Sequence, residues 1–191
     1  MIPNTSFMYR GRFPWARHLD SPNQNERPAG TTIDLLVIHN ISLPPGEFGG
    51  PWIEQLFLNQ LDPEAHPSFA SLAALRVSAH CLIRRNGELI QFVDFYRRAW
   101  HAGVSSFEGR EQCNDYSIGI ELEGTDHDPY TMVQYCRLAN TTWALQQAFP
   151  GITDQRIVGH DTIAPERKTD PGPAFDWTRY RQALNAMQRL F

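Results

Sequence analysis

The sequence predicts a mixed α/β fold in which a central mixed β-sheet is flanked by helices. Three observations predict it: an apolar run at Ile33–His39, an alternating pattern at Tyr116–Glu123 and a helical pattern at Tyr130–Phe149. Strands interspersed with helices along a chain are typical of a sheet covered by helices. The 191 residues are enough for one domain with a sizeable core. We therefore expect a single domain spanning the whole chain.

The first part of the chain alternates between loops and regular elements. Residues 1–30 are rich in Pro, Arg, Asn and Gly and show no periodicity, so we expect a loosely structured arm packed on a core formed by residues 31–182. The apolar Ile33–His39 is typical of a strand buried on both faces. Pro and Gly predict a loop at Ile41–Pro51, and apolar residues at helical spacing predict a short helix at Trp52–Leu61.

Three further strands are predicted in the middle of the chain. Val77–Ile83 and Glu88–Val93 should pair, because Asn-Gly between apolar runs is a strong hairpin signal. Along Tyr116–Glu123 the residue types alternate, which places every second side chain on the same face. One face carries Ile118, Ile120 and Leu122, and the other carries Ser117, Gly119, Glu121 and Glu123.

Two long helices complete the prediction. Tyr130–Phe149 has a capping-box signal, Thr131 followed three residues later by Gln134. The helix is expected to bury an apolar stripe made of Val133, Cys136, Ala139 and Trp143. A last helix is predicted over Asp176–Leu190.

Composition limits the class of protein. A net charge of −4 and a pI near 5.9 argue against general binding to nucleic acid or to anionic membranes. No stretch approaches the roughly 18 apolar residues of a membrane helix, and the first residues lack the apolar core of a secretory signal. Three scattered cysteines, without CxxC spacing, fit a reducing compartment. We expect a cytoplasmic protein.

Two histidines and an aspartate are the candidate metal ligands. His39 and His160 each end an apolar run, and Asp170 lies in a Pro-Gly turn. Two imidazoles and a carboxylate are ligand types that hold a catalytic zinc while leaving a position open to water. Spacing alone leaves an alternative open, because two structurally satisfied histidines and a turn aspartate would give the same pattern.

Glu121 and Lys168 are the candidate catalytic residues. If the polar face of its strand lines a cleft, Glu121 could accept a proton from the attacking water, and Gly119 would leave space beside it. Glu123 shares that face and is the competitor; a solvated acidic face is the alternative. Lys168 lies two residues before Asp170, so an extended backbone would put both side chains on one side. A lysine beside a metal site can stabilise an oxyanion, although an ordinary surface lysine is the alternative.

Two other histidines lie near these elements. Trp100–Gly103 pairs an aromatic residue with His101 in a predicted loop, which could form a wall for a sugar or peptide. Core packing by Trp100 is the alternative. His80 lies on a predicted strand and is expected in the core or behind a metal ligand.

Four long segments resemble a known family. They resemble the AmpD family, the cytosolic 1,6-anhydro-N-acetylmuramyl-L-alanine amidases of Gram-negative cell-wall recycling. The resemblance covers roughly residues 30 to 180 and leaves the arm outside. The matching segments are Val37–Gly50, Ala99–Ser105, Cys113–Asp126 and Gly159–Gly172.

The resemblance implies a fold and a chemistry. The fold would be that of phage T7 lysozyme and the peptidoglycan recognition proteins, a mixed sheet with helices on its faces. The resemblance implies zinc held by His39, His160 and Asp170, with Glu121 as the catalytic glutamate and Lys168 as the catalytic lysine. The reaction would hydrolyse the amide between the lactyl group of 1,6-anhydro-N-acetylmuramic acid and L-alanine of the stem peptide. Such enzymes also set the level of muropeptides that govern β-lactamase induction.

The expected partner is an anhydro-muropeptide bound by a monomer. Because the stem peptide is acidic and the chain has a net negative charge, arginines should line the cleft. The candidate substrate-binding residues are Arg76, Arg110, Arg167, Asn40 and Trp100.

Three other functions remain possible from the sequence. A binding module that has lost its metal would lack the ligand set. An amidase for intact peptidoglycan would act in the envelope. A cysteine hydrolase would use Cys81 or Cys113, although no nucleophile signature surrounds either one.

Overall fold

The computed structural model describes residues 8–190, which form ten strands and four α-helices. The strands are β1 (Arg17–His18), β2 (Gln24–Glu26), β3 (Leu35–Ile41), β4 (Cys81–Ile83), β5 (Leu89–Gln91), β6 (Arg97–Ala99), β7 (Ser106–Phe107), β8 (Arg110–Glu111), β9 (Ser117–Glu123) and β10 (Ile157–Gly159). The helices are α1 (Trp52–Phe57), α2 (Met132–Ala148), α3 (His160–Ile163) and α4 (Trp177–Leu190). None of the helices in this part of the chain is long and apolar enough to cross a membrane.

A mixed six-stranded sheet lies at the centre, in the order β1-β5-β4-β9-β3-β10. Only the β4–β5 pair is antiparallel; the other four pairs of neighbours in this sheet are parallel. Two small antiparallel pairs, β2–β6 and β7–β8, lie outside it. The predicted fold class, a mixed sheet flanked by helices, is confirmed.

The two faces of the sheet are covered differently. On one face, Leu36 and Ile38 of β3 and the apolar residues of β9 pack against α2 and α4 in the largest core cluster, with Leu138 and Leu184 fully buried. On the other face, α1 covers β4 and β5 through Phe57 and Leu82. Loops and α3 cover β3 on this second face. The site described below lies on that loop-covered face.

Helix α2 begins as predicted but buries a different stripe. Thr131 and Gln134 form the predicted capping box, with each side chain accepting a hydrogen bond from the backbone of the other residue. Ala139 and Trp143 are buried, but Val133 and Cys136 are exposed, so that half of the predicted stripe is wrong. The buried face instead contains polar residues such as Thr142, whose hydroxyl bonds to Tyr180, and a hydrophobic pattern cannot find them.

The N-terminal arm is more ordered than the sequence indicated. Residues 1–7 lie outside the described part of the chain. Within residues 8–30, β1 adds to the edge of the sheet and β2 pairs with β6. The half-buried Arg27 ties the arm to the core by donating to four backbone carbonyls, those of Phe95, Asn114, Asp115 and Ser117. Strands of two or three residues are too short to produce a detectable period.

The predicted hairpin and the helix after the first loop form over shorter ranges. The β4–β5 turn closes where expected, with Gly87 N–H donating to the Arg84 carbonyl at 2.9 Å and Gly87 at a φ of +83°. A positive φ of this kind favours glycine. The predicted helix over Trp52–Leu61 ends at Phe57.

Candidate active site

The strands that carry the site lie side by side in the sheet. Parallel strands β3 and β9 pair with His39 opposite Glu121. Because residues opposite each other on paired strands point to the same face, both side chains lie on the loop-covered face. β10 runs parallel to β3 on its other side, and His160 follows it directly as the first residue of α3. Carboxyl ends of parallel strands are where open sheets commonly gather functional groups.

Three possible ligand atoms converge at this edge. Asp170 Oδ2 lies 2.9 Å from His39 Nδ1 and 3.0 Å from His160 Nδ1, and the two Nδ1 atoms lie 3.0 Å apart. Ligand atoms of a tetrahedral zinc site lie about 3.3 Å from one another, given zinc–ligand bonds of about 2.0 Å. The structure therefore brings the predicted triplet together in an arrangement that could hold a metal ion.

The protonation states of His39 and Asp170 suit a metal. Burial lowers the pKa of His39 to about 4, so its imidazole is neutral at pH 7. Burial alone would raise the pKa of Asp170, but the hydrogen bonds to His160 and His39 outweigh it and hold that pKa below its usual range. A neutral imidazole and an ionised carboxylate are the forms that bind metal ions.

Adjacent residues contact the outer nitrogens of both histidines. His39 Nε2 lies 2.9 Å from His101 Nδ1, and His160 Nε2 lies 3.1 Å from the Ala102 carbonyl oxygen. The His101 ring points inward, against His39 and Gly119. It therefore does not form the predicted wall for a sugar or peptide. The space attributed to Gly119 is filled by this ring, because a Cβ at that position would lie 2.5 Å from it.

Glu121 and Glu123 differ sharply although they lie on one face of β9. The side chain of Glu123 accepts hydrogen bonds from Arg84 at 2.7 Å, from Gly49 N–H at 2.7 Å and from Arg85 N–H at 3.0 Å. Glu121 is buried, and its Oε2 has no hydrogen-bond partner among residues 8–190. Burial and the nearby Asp170 carboxylate raise the pKa of Glu121 above its usual range. The unpaired carboxyl is the one suited to proton transfer.

A cleft of about 550 Å³ opens beside the triplet. Asp170 and the exposed Lys168 both line it, as the two-residue spacing suggested. The Lys168 ammonium is near enough to lower the pKa of Glu121 against the effect of burial. The cleft is thus lined by a carboxylate and an ammonium, and both of these charges act on the buried Glu121.

The other predicted substrate residues are distributed unevenly. Asn40 and Arg167 line the same cleft. Trp100 does not line it, because its indole Nε1 donates to Asn25 Oδ1 at 2.6 Å in the arm. Arg110 pairs with Asp34 at 2.7 Å, and Arg76 donates to carbonyls of its own loop.

The cysteines are free and two of them are buried. Burial raises the pKa of Cys81, which opposes formation of a thiolate. Cys113 lies against the Tyr116 hydroxyl at 3.2 Å, among apolar residues. Neither environment favours a nucleophilic cysteine.

The family assignment rests on comparisons with known proteins. The family model described as N-acetylmuramoyl-L-alanine amidase matches residues 29–173, well over half of the chain. The chain belongs to the N-acetylmuramoyl-L-alanine amidase family. The matched range includes the three candidate metal ligands and the two candidate catalytic residues, which are His39, His160, Asp170, Glu121 and Lys168. The chain is therefore an amidase.

The chain is similar to individual amidases over most of its length. The chain is 63% identical over 166 residues to the 1,6-anhydro-N-acetylmuramyl-L-alanine amidase AmpD of Escherichia coli, covering 87% of this chain and 90% of that one. A crystal structure of a selenomethionine AmpD derivative superposes with a TM-score of 0.91 at 59% identity, covering 93% and 98% of the two chains. The amidase AmiD of E. coli, in complex with anhydro-N-acetylmuramic acid-L-Ala-D-gamma-Glu-L-Lys, gives a TM-score of 0.59 at 28% identity, covering 83% and 60%.

Proposed function

We propose that this amidase is a zinc enzyme that hydrolyses the amide between the lactyl group of 1,6-anhydro-N-acetylmuramic acid and L-alanine of the stem peptide, in peptidoglycan recycling. One observation carries the proposal: three ligand atoms within about 3 Å of one another lie beside a buried carboxyl that has no partner among residues 8–190. The substrate is inferred from the named activity of the AmpD relatives.

Zinc fits the residues that are present. His39 and His160 would each bind through Nδ1 and Asp170 through Oδ2, the histidine and carboxylate set of catalytic zinc sites with one position left open. When bound, zinc supplies Lewis-acid activation of the amide carbonyl and of the attacking water. The donor set has a single negative charge, from Asp170.

Glu121 is the proton carrier of the proposed reaction. Strand pairing holds it beside His39, and its pKa is raised above that of an exposed glutamate, which makes its carboxylate a stronger base. Its carboxylate accepts a proton from the attacking water and passes it to the nitrogen of the departing L-alanine. Glu123 cannot replace it, because both of its oxygens accept hydrogen bonds from Arg84, Gly49 and Arg85.

Lys168 stabilises the negative charge that develops on the amide oxygen. Its ammonium lines the cleft with Asp170 and is near Glu121. A fixed positive charge at such a position lowers the barrier to forming the tetrahedral intermediate.

Substrate binding is assigned to the cleft residues Asn40 and Arg167. Asn40 Nδ2 donates to Asp126 Oδ1 at 2.8 Å, which fixes its amide at the rim. Nothing in their contacts supports a role for Arg76, Arg110 or Trp100. The test is the KM of Arg167→Ala against that of Arg110→Ala, and the proposal requires a larger increase for Arg167→Ala.

The first experiment is mass spectrometry of anhydro-N-acetylmuramyl tripeptide incubated with the zinc-loaded protein. Free tripeptide and anhydro-N-acetylmuramic acid should appear, and a chelator should abolish both products. Tripeptide release that survives complete removal of the metal would overturn the zinc proposal. A zinc-loaded protein that cleaves intact peptidoglycan but not this muropeptide would overturn the substrate.

The resemblance to recycling amidases extends the proposal to the cellular setting. The enzyme acts as a monomer in the cytoplasm, where it lowers the muropeptides that induce β-lactamase. Sedimentation tests whether the enzyme is a monomer, and cell fractionation tests whether it is cytoplasmic. β-Lactamase levels in a strain lacking the gene, with and without complementation, test whether it lowers the inducing muropeptides.

A further inference from the structure

One short segment contacts the outer nitrogen of both histidine ligands. His101 Nδ1 lies 2.9 Å from His39 Nε2, and the carbonyl oxygen of the next residue, Ala102, lies 3.1 Å from His160 Nε2. The two histidines come from different elements, His39 from β3 and His160 from the start of α3, directly after β10. A single dipeptide therefore spans both.

The hydrogen bonds around this dipeptide have only one consistent direction when both Nδ1 atoms bind a metal. Each ligand histidine must then carry its proton on Nε2. The Ala102 carbonyl can only accept, so it receives the proton of His160. His101 Nδ1 must also accept, which places the proton of His101 on its own Nε2.

The other end of His101 agrees with this assignment. Its Nε2 lies 3.2 Å from the Ser117 hydroxyl oxygen, and that hydroxyl donates to the Cys113 carbonyl at 2.5 Å. Ser117 Oγ is therefore free to accept from His101. From Cys113 back to His39, every donor meets an acceptor.

The dipeptide is itself held in place from two sides. Asn114 Oδ1 accepts from the backbone N–H groups of His101 at 3.0 Å and of Ala102 at 2.8 Å. Gly119 on β9 leaves room for the imidazole, because a Cβ there would lie 2.5 Å from the His101 ring. Arg167 also donates to the Ala102 carbonyl, at 2.7 Å.

We propose that His101–Ala102 is a positioning element that presents Nδ1 of His39 and of His160 to the metal. The inference rests on the proposed zinc site. Outer partners of metal-binding histidines are usually carboxylates, carbonyls or waters, and here one of the two is a second imidazole. His101 does not touch the metal; it fixes the tautomer and the ring orientation of His39.

The test compares two substitutions that differ in acceptor ability. His101→Gln keeps an oxygen that can accept from His39 Nε2, whereas His101→Leu fills similar space without an acceptor. The zinc Kd is measured by competition with a chelator, and the absorption spectrum is recorded with cobalt in place of zinc. His101→Leu should weaken zinc binding by roughly 10- to 100-fold and alter the cobalt spectrum. His101→Gln should recover most of the affinity.

Two more variants complete the design. His66→Gln is the matched control, since the His66 ring contacts Ser68 and Phe69, and its zinc Kd should equal that of the unsubstituted protein. Gly119→Ala displaces the His101 ring without changing any ligand, and should also weaken zinc binding. It replaces His101→Leu in the comparison if that variant fails to fold.

The outcomes separate this inference from the proposed function. If the unsubstituted protein binds no zinc, the proposed function fails. If it binds zinc and His101→Leu and Gly119→Ala bind equally well, only the positioning role is overturned. Equal weakening in His101→Leu and His101→Gln, with unchanged thermal stability, would mean that ring packing matters and the acceptor does not.

Discussion

Two buried acidic regions lie two residues apart on β9 and are built in opposite ways. Around Glu123, a carboxylate is surrounded by donors, and its partner Arg84 also bonds to Glu54 and to the Gly50 carbonyl. Around Glu121, the same type of side chain has an oxygen without a partner among residues 8–190 and lies near a second carboxylate, Asp170. The first region holds a loop and a helix together. The second is arranged for chemistry.

The difference shows that burial alone does not distinguish a structural carboxylate from a catalytic one. Both carboxyls are at least nine-tenths buried, so exposure does not separate them. Their hydrogen-bond partners do separate them, because a buried carboxyl without partners is energetically costly and tends to persist only where function needs it. The following experiments use this contrast, from the largest expected effect to the smallest.

Removing a metal ligand should have the largest effect. Asp170→Ala deletes the only anionic atom of the triplet, so zinc should be lost, and with it several kcal/mol of transition-state stabilisation, about 10³-fold or more in kcat/KM. Metal analysis together with the muropeptide assay measures both losses. Full zinc content and normal turnover in this variant would remove Asp170 from the site.

Glu121→Gln should lower kcat by about 10²- to 10⁴-fold, the usual contribution of a general acid–base group. Zinc content should remain high, because Glu121 is not one of the ligands. Glu123→Gln is the matched control on the same strand face, and the correctly folded fraction of that variant should keep near-normal kcat. Similar losses of kcat in both variants would contradict the assignment.

Lys168→Ala should keep its zinc and lose about 10²- to 10³-fold in kcat, as expected when one oxyanion-stabilising group is removed. Lys168→Arg retains the charge and should recover part of this loss. Steady-state kinetics on the tripeptide substrate provide the measurement. A change confined to KM would reassign Lys168 to substrate binding.

Glu123→Gln should reduce stability and leave chemistry largely intact. Breaking a buried ion pair from one side costs about 3–5 kcal/mol, and the lower end applies here since Arg84 keeps its bond to Glu54. Denaturant unfolding of the metal-free protein measures the change in the free energy of unfolding. A loss below about 1 kcal/mol would mean that this region is not a structural ion-pair network.

The sequence was most informative where a local residue pattern determines the structure. The alternation in β9 correctly put Glu121 and Glu123 on one side, and the Asn86–Gly87 turn correctly indicated a hairpin. Pattern could not choose between the two glutamates, since the choice depends on Arg84 and Gly49, which are distant in sequence. The inward position of His101 was missed for the same reason.

The smallest predicted effect concerns pH and the stability of the metal-free protein. The pKa of Glu121 is raised in the folded state by burial and by Asp170, so the folded state binds its proton more tightly than the unfolded state does. The bound proton stabilises the folded state fully at low pH, and this stabilisation is lost as the pH rises through the folded-state pKa of Glu121. Above that pKa, the buried ionised carboxylate destabilises the fold. Gln at this position does not titrate.

Glu121→Gln should therefore become progressively more stable than the unsubstituted protein as the pH rises from about 5 upward, beyond the pKa of about 4.3 that a glutamate has in the unfolded state. Denaturant unfolding in chelator at several pH values measures this difference. The paired carboxylate provides the contrast, because Glu123→Gln should be less stable at every pH in that range. A Glu121→Gln difference that does not change with pH would show that Glu121 has an ordinary pKa, and the distinction between the two regions would then rest on geometry alone.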